Sequence, residues 1–254
     1  MIVLKSKAEI GLMKEAGKVL IECFARLEDF IRPGVSTLEI ADLVDKTIAE
    51  MGAINAEKGY GGFPGSACVS VNEVLVHGIP SSRKVLHDGD IVSVDLVAQK
   101  HGYMADACRT YPVGIVKEEH LRLIKETQEC FEIAYQMLRP GIHLGDVCHA
   151  IEEHAHSCGY SVPREYTGHG IGREMHEDPY IPNYGRPGTG PILKEGMTLA
   201  IEPMVMEGKN SLRVLPDGWT AVTHDHKYAA HYENTVAITS TGAEILTRQE
   251  GEAS

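Results

Sequence analysis

Short blocks of this chain recur at one fixed spacing. Glu22-Cys23-Phe24 returns as Glu129-Cys130-Phe131, Arg32-Pro33-Gly34-Val35 as Arg139-Pro140-Gly141-Ile142, and Gly52 as Gly159. Each pair is offset by 107 residues (129 − 22, 139 − 32, 159 − 52). Each half reads as helix, Arg-Pro-Gly break, second helix, glycine stop, then strands. Two α-plus-β halves of one layout predict a pseudo-twofold sheet with helices outside it. A site at their junction draws ligands from both halves. No linker or low-complexity stretch divides them. The expectation is one domain over residues 1–254, built from halves of about 1–115 and 116–254.

The local signals agree. Ser6 with Glu9 three residues on is a capping box. Ile10, Met13, Gly17, Leu20, Phe24 and Leu27 follow at helical spacing until Pro33-Gly34. Ser36 or Thr37 can cap a second helix carrying Ile40, Leu43, Val44 and Ile48, closed by Met51-Gly52. Leu121, Ile124, Cys130, Ile133, Ala134 and Met137 mark a third helix, and Val147, Ile151 and His154 a fourth. Strand-like runs cover residues 91–97, 103–113, 197–206 and 232–239.

Carboxylates interrupt those apolar runs. Asp95 lies among Ile91, Val92, Val94, Leu96 and Val97. Asp106 follows on the next strand. A two-residue turn at Lys100-His101 would set the two aspartates directly opposite, where like charges repel. Such a pair needs a cation between its members, or one proton; the bland reading is two acids on an exposed hairpin. Glu202 ends Leu199-Ala200-Ile201, and Glu233 opens a run with Val236, Ala237 and Ile238. A buried unpaired Glu is costly, although either residue alone also fits an ordinary edge strand. His169 lies in Gly168-His169-Gly170-Ile171-Gly172, read as an open loop whose glycines let backbone approach a ligand. Asp95, Asp106, His169, Glu202 and Glu233 thus form an oxygen-rich set able to hold two divalent cations about 3.5–4 Å apart, which turn water into a nucleophile at neutral pH. That is hydrolase chemistry.

His176 follows His169 by seven residues, and His77 lies in another turn-like loop, His-Gly-Ile-Pro. The chain has 13 histidines, so most are assigned to the surface or to local hydrogen bonds: His87, His101, His120, His143, His149, His154, His156, His224, His226 and His231. The six cysteines form no CxxC pair, which argues against a structural zinc module and for free thiols at most of them. The net charge of −12 argues against nucleic acid as a partner. No apolar run has the length of a membrane span, and no secretion signal is present, so a cytoplasmic protein is expected.

Five segments together resemble a known family. They are Cys68-Val69-Ser70-Val71-Asn72-Glu73-Val74-Leu75-Val76-His77-Gly78-Ile79-Pro80, Asp90 through Asp95, Gly168 through Glu177, Gly196 through Met204, and Tyr232 through Val236. In this order, over essentially the whole chain, they are similar to the type I methionine aminopeptidases. The resemblance implies the α+β pita-bread (creatinase/aminopeptidase) fold: a pseudo-twofold antiparallel sheet with helices on its outer face. It implies a metalloexopeptidase that removes the initiator methionine from nascent chains and peptides, preferring a small second residue. Asp95 and Asp106 would bind one metal and His169 and Glu202 the other, with Asp106 and Glu233 bridging. A water bridging the two metals would attack the methionine carbonyl. The metals could be Co, Mn, Fe or Zn. Glu202 would transfer protons, and His77 and His176 would contact the scissile amide and the tetrahedral intermediate. Tyr60, Phe63, Cys68, Trp219 and Met175 would line the methionine pocket. Two positions depart from the family: Met175 where an aromatic is usual, and Glu57 where a small or sulfur-bearing residue is common. A monomer is expected, with the ribosome as a further partner. A prolidase or X-Pro aminopeptidase of the same fold is the alternative, and a non-catalytic binding module a third reading. The Val71-to-Pro80 segment favours methionine removal.

Overall fold

The computed structural model describes residues 1–248. Among the described residues two helix pairs and fourteen strands alternate along the chain. Helices α1 (Lys7–Phe30) and α2 (Thr37–Glu50) come first. Strands β1 (Ile54–Asn55), β2 (Cys68–Val71), β3 (Val74–Val76), β4 (Ile91–Lys100) and β5 (Tyr103–Pro112) follow. Helices α3 (Glu118–Met137) and α4 (Leu144–Ser157) begin the second half. Then come β6 (Thr167–Gly170), β7 (Glu177–Pro182), β8 (Thr198–Ile201), β9 (Met204–Met206) and β10 (Leu212–Val214). Strands β11 (Ala221–Thr223), β12 (Ala229–His231), β13 (Glu233–Ile238) and β14 (Ala243–Ile245) complete it.

The helix starts follow from their caps. Ser6 and Ser36 each accept from the backbone N–H three residues on, and Glu9 and Glu39 reach back to the cap N–H. Helix α3 differs in face. Leu121 is exposed, and Leu123 is buried in its place. Leu121 and Cys130 are nine positions apart, which at about 100° per residue puts them on opposite sides of a helix. Leu123, Thr127, Cys130, Phe131 and Ala134 form the inward stripe instead.

Nine strands make one antiparallel sheet. Its order is β1-β4-β5-β13-β8-β6-β7, with β2 added to β4 and β14 to β13. First-half and second-half strands meet where β5 pairs with β13, through Glu233 opposite Cys108 and Asn234 opposite Ala107. One face of the sheet carries the helices. Helices α1 and α2 pack on Val92, Val94, Leu96, Ala98, Ala105 and Ala107. Helices α3 and α4 cover Leu199, Ile201, Val236 and Ile238. Strand alternation turns the residues between these to the opposite face. Asp95, Asp106, Glu233 and Ala200 all lie on that second face.

The β4–β5 hairpin corrects the expected register. Its two-residue turn is His101-Gly102, not Lys100-His101, because Lys100 pairs with Tyr103. Both turn residues have positive φ (53° and 78°). This is the backbone twist that suits a two-residue hairpin, and glycine adopts it freely. Asp95 is therefore opposite Cys108, and Asp106 opposite Val97. The aspartates are diagonal rather than directly opposed. The shift is two residues, so both still project from one face.

Candidate functional site

Five side chains converge on the helix-free face, as strand geometry requires. Asp95 comes from β4, Asp106 from β5, His169 from β6, and Glu233 opens β13. Glu202 follows β8, its carbonyl accepting from the Asn183 amide at 3.0 Å. The His169 Nε2 atom lies 3.6 Å from Asp106 Oδ2 and 3.7 Å from Glu202 Oε1. Ligand atoms of Asp106, His169 and Glu233 all fall within 4.8 Å of one another. Nδ1 of His169 faces the Gly170 carbonyl at 2.9 Å. A carbonyl only accepts, so Nδ1 carries a proton, and Nε2 is the nitrogen turned to the carboxylates, available to a metal once its own proton is lost.

His169 does not stand in an open loop. It is buried in β6, and its flanking glycines admit neighbouring backbone rather than a ligand. A Cβ on Gly170 would stand 2.1 Å from the Asp178 carbonyl oxygen. Gly170→Ala is therefore expected to force β6 from β7 and cost ~1–3 kcal/mol of stability, with weaker metal binding through the displaced His169. Urea denaturation with and without metal tests this; wild-type stability together with wild-type metal affinity would refute it.

The electrostatics of the cluster are severe. Burial raises the Asp95 and Glu233 carboxyls well above the ordinary range, and the Asp106 charge adds to it. Burial pushes Glu202 up to about 8. His169 goes up to about 9: burial opposes this, but the Asp106 and Glu202 carboxylates outweigh it. Asp95 Oδ1, Asp106 Oδ1 and Glu233 Oε1 are buried without hydrogen-bond partners among the described residues. Orphan carboxylate oxygens beside an imidazole nitrogen are the donor types a hard or borderline dication takes. The residues fit divalent metal ions.

One member of this cluster was assigned elsewhere by the sequence. His231, read as a surface or locally bonded histidine, is buried in β12. Its Nε2 lies 3.7 Å from both Glu202 Oε2 and Glu233 Oε2. Burial holds this ring down to about 3, and thus neutral. The signal was its position two residues before Glu233, which on extended chain puts both on one face.

A cavity of about 310 Å³ opens onto the carboxylates. Phe63, Trp219 and Met175 form its apolar wall, with Tyr60 and Glu57 beside them. The Phe63 and Trp219 rings meet edge to face at 5.3 Å. Cys68 stands behind this wall, opposite Asp95, with its thiol donating to Glu57 Oε1 at 2.9 Å. Burial raises Glu57 to about 7. His77 and His176 reach the cavity from two sides. His176 Nδ1 is 2.7 Å from the Tyr60 hydroxyl, and its ring centre is 4.3 Å from that of His169. Burial, with His169 alongside, depresses His176 to about 4. The His77 ring meets Tyr166 edge to face at 5.4 Å, and burial lowers its pKa.

Residues 11–240 match the model of metallopeptidase family M24. The chain is 51% identical over 247 residues to a methionine aminopeptidase of Clostridium acetobutylicum, covering 97% of this chain and 99% of that one. It is 49% identical over 248 residues to methionine aminopeptidase 1 of Bacillus subtilis, covering 98% and 100%. The crystal structure of methionine aminopeptidase from Thermotoga maritima superposes with a TM-score of 0.96 at 49% identity, over 98% of this chain and all of that one. Prolidase from Pyrococcus furiosus matches with a TM-score of 0.78 at 26% identity, over 97% of this chain but 66% of its own. The antiparallel sheet with helices on one face is the pita-bread arrangement that the resemblance implied.

Proposed function

Because this chain belongs to metallopeptidase family M24, we infer from its site and its relatives that it is a methionine aminopeptidase. The observation that carries this reading is the pairing of orphan buried carboxylates with a small, largely apolar cavity beside them. Asp95 and Asp106 would hold one divalent ion and His169 and Glu202 a second, with Asp106 and Glu233 shared. Bound ions supply Lewis acidity, which polarises a carbonyl and acidifies water.

The chain's own groups supply the rest. Glu202 takes the proton of the attacking water and passes it to the leaving amine. With the Tyr60 hydroxyl donating to Nδ1, neutral His176 carries its proton on Nε2. That N–H is aimed at the charge developing on the carbonyl oxygen. His77, held between Tyr166 and Trp219, orients the amide. Phe63, Trp219 and Met175 accept the flexible thioether of methionine, where sulfur–aromatic contacts add to burial. Enclosure of the site favours a small second residue.

The more distant structural match is to prolidases. On this reading, metal-supplemented protein hydrolyses Met-Ala-Ser and leaves a Gly-Pro dipeptide intact. Cleavage of Gly-Pro alone would overturn it. Among the described residues no helix is long and apolar enough to cross a membrane. We propose that the enzyme acts in the cytoplasm as a monomer, with nascent chains at the ribosome as its natural substrates.

A further inference from the structure

A second convergence of metal-binding atoms lies on the helical face. Glu126 of α3 faces the C-terminal end of α4, where His154 and Cys158 stand four residues apart. Glu126 Oε2 is 2.9 Å from His154 Nε2 and 3.3 Å from Cys158 Sγ, and those two atoms are 3.7 Å apart. All three side chains are half-buried, so the cluster is preformed yet reachable.

Two arrangements could use these residue types. In a nucleophilic triad, thiol and carboxylate take opposite nitrogens of the imidazole. Here both approach the same nitrogen, which excludes that relay. Convergence on one point is instead what a coordinated ion requires. Tetrahedral zinc, with bonds of about 2.0–2.1 Å to nitrogen and oxygen and about 2.3 Å to sulfur, holds its ligand atoms roughly 3.3–3.6 Å apart. The three separations lie within about half an ångström of that range. Thiolate and carboxylate together balance a dication. The Arg122 guanidinium lies 4.0 Å from the other carboxylate oxygen, Glu126 Oε1, so Oε2 is the oxygen turned to His154 and Cys158. The cluster also caps the negative end of the α4 dipole, which favours a cation.

We propose that Glu126, His154 and Cys158 form a second metal site, separate from the carboxylate cluster, for a thiophilic divalent cation such as zinc. It would pin the last turn of α4 to α3, with water in the open fourth position. Burial, reinforced by Glu126, raises the Cys158 thiol. The metal-free thiol is therefore protonated at neutral pH, and forming the metal–sulfur bond releases that proton to solvent.

Cobalt(II) added to the metal-stripped protein tests this, because only a thiolate ligand produces sulfur-to-cobalt charge transfer in the near ultraviolet. The band is expected in the wild-type protein and in Asp106→Asn, and is lost in Cys158→Ser and His154→Gln. Zinc bound at equilibrium should fall by one equivalent in Cys158→Ser, with methionine removal in added metal unchanged. Absence of the band from the wild-type protein would overturn the proposal. So would its survival in Cys158→Ser, which would place the thiolate at Cys68 or Cys108 beside the catalytic carboxylates.

Discussion

Glu202→Gln is expected to remove peptide hydrolysis almost completely. Loss of proton transfer alone accounts for ~10²–10⁴-fold in kcat, and a weakened metal ligand adds to it. The substitution is nearly isosteric, so shape is preserved while the proton acceptor is lost. Its backbone is independently pinned: the Glu202 carbonyl accepts from Asn183, and Asn183 Oδ1 accepts from the Met204 N–H at 2.6 Å. Circular dichroism should therefore match the wild type. The measurement is kcat/KM on Met-Ala-Ser with metal added in excess, alongside Asp106→Asn. Full activity in either variant would remove the carboxylate cluster from the chemistry.

The metal-stripped protein is expected to lose stability as pH rises from 6.5 toward about 8. Glu202 in the folded chain keeps its proton up to about 8, whereas the unfolded chain releases it near 4.5. His169 stays protonated up to about 9 against 6.5 when unfolded. In this window the native state binds more protons than the unfolded one, so stability falls with rising pH. Each such group contributes up to ~1.4 kcal/mol per pH unit. Asp95 and Glu233, both raised, act in the same direction. His176 and His231 are depressed, so they oppose the trend only below 6.5, where the unfolded histidine begins to charge. Divalent metal should abolish the fall, because bound ligands have already given up their protons. Urea midpoints at the two pH values, with chelator and with metal, check this. A pH-independent midpoint in chelator would contradict the buried-charge account.

Much of this was legible in residue order. The capping box at Ser6 is a local hydrogen-bond arrangement that needs only four consecutive residues, whereas Ser36 and Thr37 were both open as the second cap until the structure gave it to Ser36. The 107-residue offset was visible before any strand was paired. Asp95 inside an apolar strand was conspicuous because a lone charge there has no reason to be tolerated. His231 was harder. Its neighbours Ala229, Ala230 and Tyr232 mark a buried strand as well as Asp95's do, but a neutral histidine is a common core residue and its type alone gave no warning.

Residue identity and short-range period therefore determined which groups are ionisable, where the four helices and the longest strands run, and which side chains share a face of one strand. Only the tertiary structure decided the His101-Gly102 register, the β5–β13 pairing that unites the halves, and the meeting of Glu126 with His154 and Cys158. Periodicity sets a side chain's direction along its own element. Which atoms lie within bonding reach depends on how elements far apart in sequence pair and pack, and that is a property of the assembled core.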